Sequence, residues 1–354
     1  MASGTSNSRS AIAHLSHSFI PQASSPRVSS PSLTWSSPVQ VFPKPIAGMV
    51  PSNISCPSAS FCAAVDYYLP RTIFTSNYPS GGRPFDWIAT SVGQGGLYAA
   101  GGSDGQISCP SISLCVASFP GPDSGGVFVS DNPIGGASAW RQVNIPNASD
   151  GFISISCPST RFCAATALDD QGDIFTSTDG ANTWSVTPVG NIAVSNIIGP
   201  YISCSSRSFC VIASGNEIAT SINPTGASAA WTVVKLSPLA PSLFSFASIS
   251  CPSASFCAAT ANVVASGNLF ISNDPNGGAS AWNESTTTDS SVSCLSASFC
   301  VAIDGQLYIS SDPNGGASAW SASTSDDVGI EAVSCSSARF CAAIDNEGRI
   351  LTGE

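Results

Sequence analysis

The chain has 354 residues, of which only 9% are charged, and its 22 acidic side chains against 11 basic ones leave a formal charge of −11. Such a balance excludes a surface built for nucleic-acid phosphates or anionic membrane, both of which need clustered Lys and Arg. No apolar run approaches the roughly 20 residues of a membrane-spanning helix.

Residues 1–30 are rich in Ser, carry Pro21, Pro26, Arg9, Arg27, His14 and His17, and have no acidic side chain. This composition reads as a disordered tail. A secretory signal would need a charged start, a continuous apolar core and a small-residue cleavage site, and Ala11 to Ile20 is interrupted by polar residues. A Ser-rich, acid-poor tail is also the composition of a transit peptide. Next comes Ser32-Leu33-Thr34-Trp35, a short alternating run with no partner near it in sequence.

From about residue 50 the chain repeats one unit, shown most fully by Ile249 to Trp282. Paired cysteines mark the register: Cys56/Cys62, Cys109/Cys115, Cys157/Cys163, Cys204/Cys210, Cys251/Cys257, Cys294/Cys300 and Cys335/Cys341, with five residues inside each pair. A period of about 40 to 50 residues belongs to propellers and solenoids. Within the unit, Ile249–Cys251 and Phe256–Thr260 flank turn residues and read as a hairpin. Leu269–Ser272 is a third strand, the Asp274-Pro275-Asn276-Gly277-Gly278 cluster reverses the chain, and Trp282 opens a fourth. Four strands per unit make a propeller blade, and seven units predict an all-β, seven-bladed propeller over residues 31–354. No window has helical periodicity. The last unit stops before its Trp strand, whereas the other six supply Trp87, Trp140, Trp184, Trp231, Trp282 and Trp320. Trp35 is therefore the missing seventh, and the N-terminal strand is expected to close the last blade.

Residues facing each other across an antiparallel hairpin have Cα atoms about 4.5 to 5.5 Å apart, within reach of a disulfide. Each pair is expected to bridge its own hairpin, which predicts an oxidising compartment and an exported, secreted or cell-surface protein. Paired cysteines also ligate zinc. That alternative is disfavoured because the histidines, His14 and His17, lie outside the repeats.

Ser177-Thr178-Asp179-Gly180-Ala181-Asn182-Thr183-Trp184 resembles the Asp-box, the S-x-D-x-G-x-T-W turn of bacterial neuraminidase repeats and sortilin-type propellers, with Ala181 in place of its Gly. The runs ending at Trp140, Trp282 and Trp320 look like an expansion of the same turn. The resemblance implies a propeller in which the box is a folding device away from the site. It implies that Asp179, Asp274 and Asp312 accept backbone N–H groups in turns.

Strand order puts the Cys hairpins and the Trp-preceding turns on one face. The other face holds the links between second and third strands and between blades: residues 66–71, 119–126, 168–173, 189–201, 236–246 and 324–331. These differ from copy to copy, and loops on a rigid scaffold commonly carry function. Four residues after the second cysteine, the mutually adjacent blades six, seven and one carry Asp304, Asp345 and Asp66. Arg71 and Arg349 follow, with Tyr67 and Tyr68 beside Asp66. Carboxylates and aromatic faces together suit a hydroxyl-rich ligand such as a glycan, and three carboxylates with carbonyls and waters would make at most a weak calcium site. The competing reading is that each Asp ends a strand and begins a turn.

Every cysteine being paired and both histidines lying in the tail, Ser-His-Asp and Cys-His chemistry has no base. The resemblance to sialidases implies three converging arginines, but Arg161, Arg207 and Arg339 sit in the Cys hairpins on the opposite face. The expectation is an exported, non-catalytic binding or surface protein, lectin-like, with no cofactor or metal and with a glycan or a protein surface as partner, monomeric by default. A glycan-active hydrolase and a structural module of a larger assembly are the alternatives.

Overall fold

A computed structural model describes residues 32–42, 53–66, 71–93, 105–119, 126–145, 151–167, 172–189, 200–237, 244–263, 266–286, 291–323 and 329–354. The tail at 1–30 lies outside them. The Pro31–Glu354 unit consists of seven four-stranded antiparallel sheets, a seven-bladed propeller. Blade one comprises Asn53–Ser58, Phe61–Asp66, Arg71–Ser76 and Ile88–Gly93, each hydrogen-bonded to the next. Blade five comprises Phe244–Ser253, Phe256–Val263, Ser266–Ser272 and Trp282–Thr286 in the same order. No helix among the described residues is long and apolar enough to cross a membrane.

The local structure follows from turn chemistry. At the end of a third strand a serine hydroxyl accepts the N–H two residues on, at 3.0 to 3.2 Å in five blades, as Ser272 does for Asp274. This bond starts the reversal locally, before any packing is needed. The Ala-Ser-Ala that follows winds into a single 3-10 turn, Ala279–Ala281 in blade five, and Trp282 donates its N–H to Ala279. Gly278, at φ 80°, supplies the left-handed residue that joins the two. The Cys hairpins hold seven disulfides with Cα separations of 4.0 to 4.2 Å, and no cysteine is free.

One difference from the sequence reading concerns the link at 236–246. Phe244 and Phe246 are not loop: they belong to the first strand of blade five, pair with Val263 and Ala261, and are buried at 2% and 1% exposure. Their rings fill space beside Phe209 and Ile218 of blade four, so burial extends this strand beyond the length its repeat suggests.

Hydrophobic burial sits between blades rather than within them. Each of the seven apolar clusters spans one seam. The seam between blades four and five joins Phe209, Val211 and Ile218 to the Cys251–Cys257 bridge, Phe270 and Trp282. The disulfides are thus part of the inter-blade core. The second cysteine of every pair has zero exposure.

A ring of hydrogen bonds crosses the same seams. The serine before each first cysteine accepts the backbone N–H of the first cysteine in the following blade: Ser55 from Cys109, Ser108 from Cys157, Ser156 from Cys204, Ser203 from Cys251, Ser250 from Cys294, Ser293 from Cys335 and Ser334 from Cys56. Distances run from 2.9 to 3.4 Å. The first strand of a blade has no sheet neighbour on its outer side, and its N–H groups would lie unpaired next to a close-packed blade. A short hydroxyl satisfies them where a further strand could not fit. Asn53, Ser154 and Ser248 repeat the device two residues earlier, accepting from Ile107, Ile202 and Val292.

Closure is as expected. Val39–Gln40 pairs with Arg349–Gly353, and Trp35 bridges Gly353 so closely that a Cβ there would meet the indole at 3.0 Å. Thr34 and Glu354 exchange backbone hydrogen bonds, and Gly348 accepts from Val41 and Phe42. The Trp35 indole N–H donates to Ser323 at 2.8 Å, tying the strand to blade six as well.

Candidate functional site

The three aspartates proposed from sequence do end the second strands of adjacent blades: Phe299–Asp304, Phe340–Asp345 and Phe61–Asp66. Their environments differ. Asp345 has zero exposure; its Oδ1 accepts the N–H groups of Glu347 and Arg349 at 3.0 and 2.8 Å, and its Oδ2 accepts Arg349 Nε at 2.6 Å. Arg349 Nη1 also lies 3.0 Å from Glu347 Oε2. Asp345 and Arg349 therefore build the turn that Gly348 completes at φ 76°, and the turn reading accounts for both. Asp304 faces Gln306 across Gly305, and Asp66 pairs with Thr72; both residues are half-buried. Arg71 is buried at 6% exposure, with its guanidinium carbon 5.9 Å from the Phe119 ring of blade two, where it braces a seam. Tyr67 and Tyr68 lie outside the described residues.

On the opposite face, Arg161, Arg207 and Arg339 are exposed in the Cys hairpins, away from these aspartates. The Ser177–Trp184 turn lies on that face too. Asp179 Oδ1 accepts from the Ser177 hydroxyl at 2.8 Å and from the Asn182 and Thr183 N–H groups at 3.1 and 3.0 Å, while Oδ2 accepts the Thr183 hydroxyl at 2.7 Å. Ala181 adopts φ 62°, alone among the described non-glycine residues in that region, so a side chain sits where glycine would be relaxed.

Desolvation raises the Asp179 pKa, but hydrogen bonds from the Thr183 N–H, the Thr183 and Ser177 hydroxyls and the Asn182 N–H outweigh it and lower the carboxyl from 3.8 to about 2. A folded-state pKa below the unfolded value gives stability that is present above 3.8 and is lost as the pH falls through about 2. The stability gap between the wild type and Asp179→Asn, measured by urea denaturation, should therefore narrow from about pH 5 to pH 2. An unchanged gap would show that the carboxylate's charge is irrelevant to the turn.

What sequence reasoning missed is a group of exposed side chains in blade one, Tyr78, Arg83, Phe85 and Ile88. The signal was present, since this blade carries Arg83-Pro84-Phe85-Asp86 before its tryptophan where blades two, five and six carry Ala-Ser-Ala.

No protein-family model matches the chain, and no curated protein does. Solved structures match it over nearly all of its length. A structure described as YCF48 bound to D1 peptide aligns with TM-score 0.59 at 14% identity, covering 92% of this chain and 99% of that one. YCF48 from Cyanidioschyzon merolae gives 0.58 at 12%, over 90% and 98%. A streptogramin B lyase gives 0.62 at 11%, over 91% and 97%. The likeness is one of fold. A lyase and a peptide-binding protein share it equally, so the architecture does not select an activity.

Proposed function

We propose that this chain is an exported, non-catalytic binding propeller of the Asp-box type, and that the face carrying the links between second and third strands takes a hydroxyl-rich carbohydrate ligand. The observation that carries the reading is the contrast between seams and faces. Fourteen cysteines, seven serines and the apolar clusters repeat one solution at every seam. The links between them share neither length nor composition. Repetition with variation on one face is how a rigid scaffold carries a binding surface. Reactive groups support binding over catalysis: the cysteines are in disulfides, and Asp179, Asp345 and Arg349 are bound into turns. Asp66 and Asp304 are half-buried residues at the strand ends of this face, of the type that accepts sugar hydroxyls, and Tyr67 and Tyr68 follow Asp66 in sequence. Seven disulfides are consistent with an oxidising extracellular environment.

A second reading, a protein partner, draws on the structural neighbour whose description has it bound to a peptide. A glycan array probed with the oxidised chain, with and without calcium, tests the first. Binding to a defined glycan is expected to fall at least about tenfold in the Asp66→Asn/Asp304→Asn double variant, which keeps the size of both side chains. Absence of any glycan signal, or equal binding by the variant, rejects the carbohydrate reading.

A further inference from the structure

The turn between third and fourth strands provides its own control. In blades two, four, five and six it closes on small residues, through the 3-10 turns Ala137–Ala139, Ser228–Ala230, Ala279–Ala281 and Ala317–Ala319. Blade one makes the same reversal with Pro84–Asp86 and exposes Phe85 at 73%, Tyr78 at 64% and, one residue beyond Trp87, Ile88 at 51%. The same turn exposes one large apolar side chain in blade two, Ile134 at 42%, and one in blade four, Ile222 at 71%, and an aromatic in neither; blade one exposes three, two of them aromatic. Exposed aromatics carried on one turn in this way mark a contact surface. Arg83 stacks its guanidinium carbon 5.4 Å from the Phe85 ring centroid and forms no ion pair among the described residues.

The adjoining outer strand differs from its counterparts in the same direction. Ile88–Gly93 has six residues and contains neither a charge nor a proline. The outer strands of blades two to five carry Arg141, Pro188, Lys235 and Glu284, and those of blades six and seven have three and two residues. Charge, proline and shortness are the usual guards of a sheet edge against pairing with another chain. Blade one lacks all three, its register shifting only between Ser91 and Gly93 at the far end of the strand, and among the described residues no strand pairs with its outer edge. Ile88, Ala89 and Ser91 are exposed along it.

We propose that an extended segment of another protein adds to blade one as a fifth strand along Ile88–Gly93, packing an apolar side chain on Phe85 and Tyr78 and placing a carboxylate on Arg83. Main-chain pairing gives the affinity, and the aromatic and cationic turn gives the specificity. A second copy of this chain fits less well. Two aromatic side chains offering about 150 to 250 Å² each fall short of the roughly 800 Å² per partner of a stable protein interface, whereas they match a short peptide.

The site lies on the outer rim and is independent of the carbohydrate reading. Panning a random displayed-peptide library against the full oxidised chain should enrich sequences that alternate apolar residues and include Asp or Glu. Affinity for the enriched peptide, measured by fluorescence anisotropy, should fall at least about tenfold in Phe85→Ala and in Arg83→Ala, and Ala89→Lys should block strand addition. Exchanging residues 83–86 for the Ala-Ser-Ala of blade two should abolish binding with an unchanged melting temperature. Asp66→Asn/Asp304→Asn should bind the peptide normally. The proposal is overturned by a library that enriches nothing, by binding indifferent to the turn exchange, by peptide binding lost with Asp66 and Asp304, by a chain dimer that Phe85→Ala dissolves, or by a Phe85→Ala protein that melts lower and so needs the ring for folding.

Discussion

Removing residues 1–42 should lower the melting temperature of the oxidised chain by about 7 °C, while removing only residues 1–30 should leave it unchanged. The longer deletion takes away Leu33 and Phe42, buried at 6% and 2% exposure, together with the half-buried Trp35. Phe42 packs on Phe74 with ring centroids 4.2 Å apart, so blade one loses contacts as well as blade seven. At about 2 kcal/mol for each buried side chain, and with the backbone pairing to residues 349–354 lost too, the cost is about 5 kcal/mol. A sheet edge then appears, because Arg349–Gly353 loses its outer partner, and the seam to blade six loses the Trp35 hydrogen bond to Ser323. Differential scanning calorimetry of the two truncations reads the difference directly. Equal melting of both would mean that the ring is held shut by something other than this strand.

Full reduction should unfold the chain cooperatively rather than loosen it bridge by bridge. In the chain-entropy account each short loop is stabilised by about 2 kcal/mol, so seven together reach about 15, as large as the whole stability of a typical domain. Geometry adds a kinetic barrier, because attack at either sulfur is hindered: Cys62, Cys115, Cys163, Cys210, Cys257, Cys300 and Cys341 have zero exposure inside the seams and their partners no more than 8%. A reductant reaches these sulfurs only after a seam opens, and opening one seam breaks the ring. Thiol labelling with time in mild reductant should therefore show molecules with no free thiol and molecules with fourteen, and circular dichroism should track the second population. Stepwise accumulation of partly reduced, folded protein would refute this, and so would refolding of the fully reduced chain in the presence of reductant.

The parts of the fold legible in the sequence are those that the repeat writes out more than once. Cys251 and Cys257 are read as a hairpin bridge because six other pairs share their spacing, and Trp35 is placed because six tryptophans define the position it fills. Phe244 and Phe246 were not legible, since their strand character comes from packing against Phe209 and Ile218 of the neighbouring blade, which no local pattern records. The seven serines before the cysteines were visible as a repeated letter. Their purpose depends on how closely one blade approaches the next, a property of the assembled ring. Asp345 shows the limit for the candidate site. Four residues after its cysteine it stands level with Asp66 and Asp304, but Gly348 and Arg349 fold back over it and enclose the carboxylate. An aspartate at a strand end has the same sequence signature whether it serves a ligand or its own turn; burial decides between them.

The serine ring bears on how such a chain grows. Each unit carries both halves of the joint, an acceptor hydroxyl for the unit after it and a donor N–H for the unit before, one residue apart, as in Ser203-Cys204. A tandem duplication of one unit therefore arrives already fitted to both neighbours, with its own bridge and its own seam contacts, and needs no compensating change elsewhere. What such an insertion alters is the angle available to each blade, so the number of units is limited by how far the apolar seams can open before they cease to exclude water. Gene-level copying is in this way converted directly into architecture, with the joint inherited along with the part.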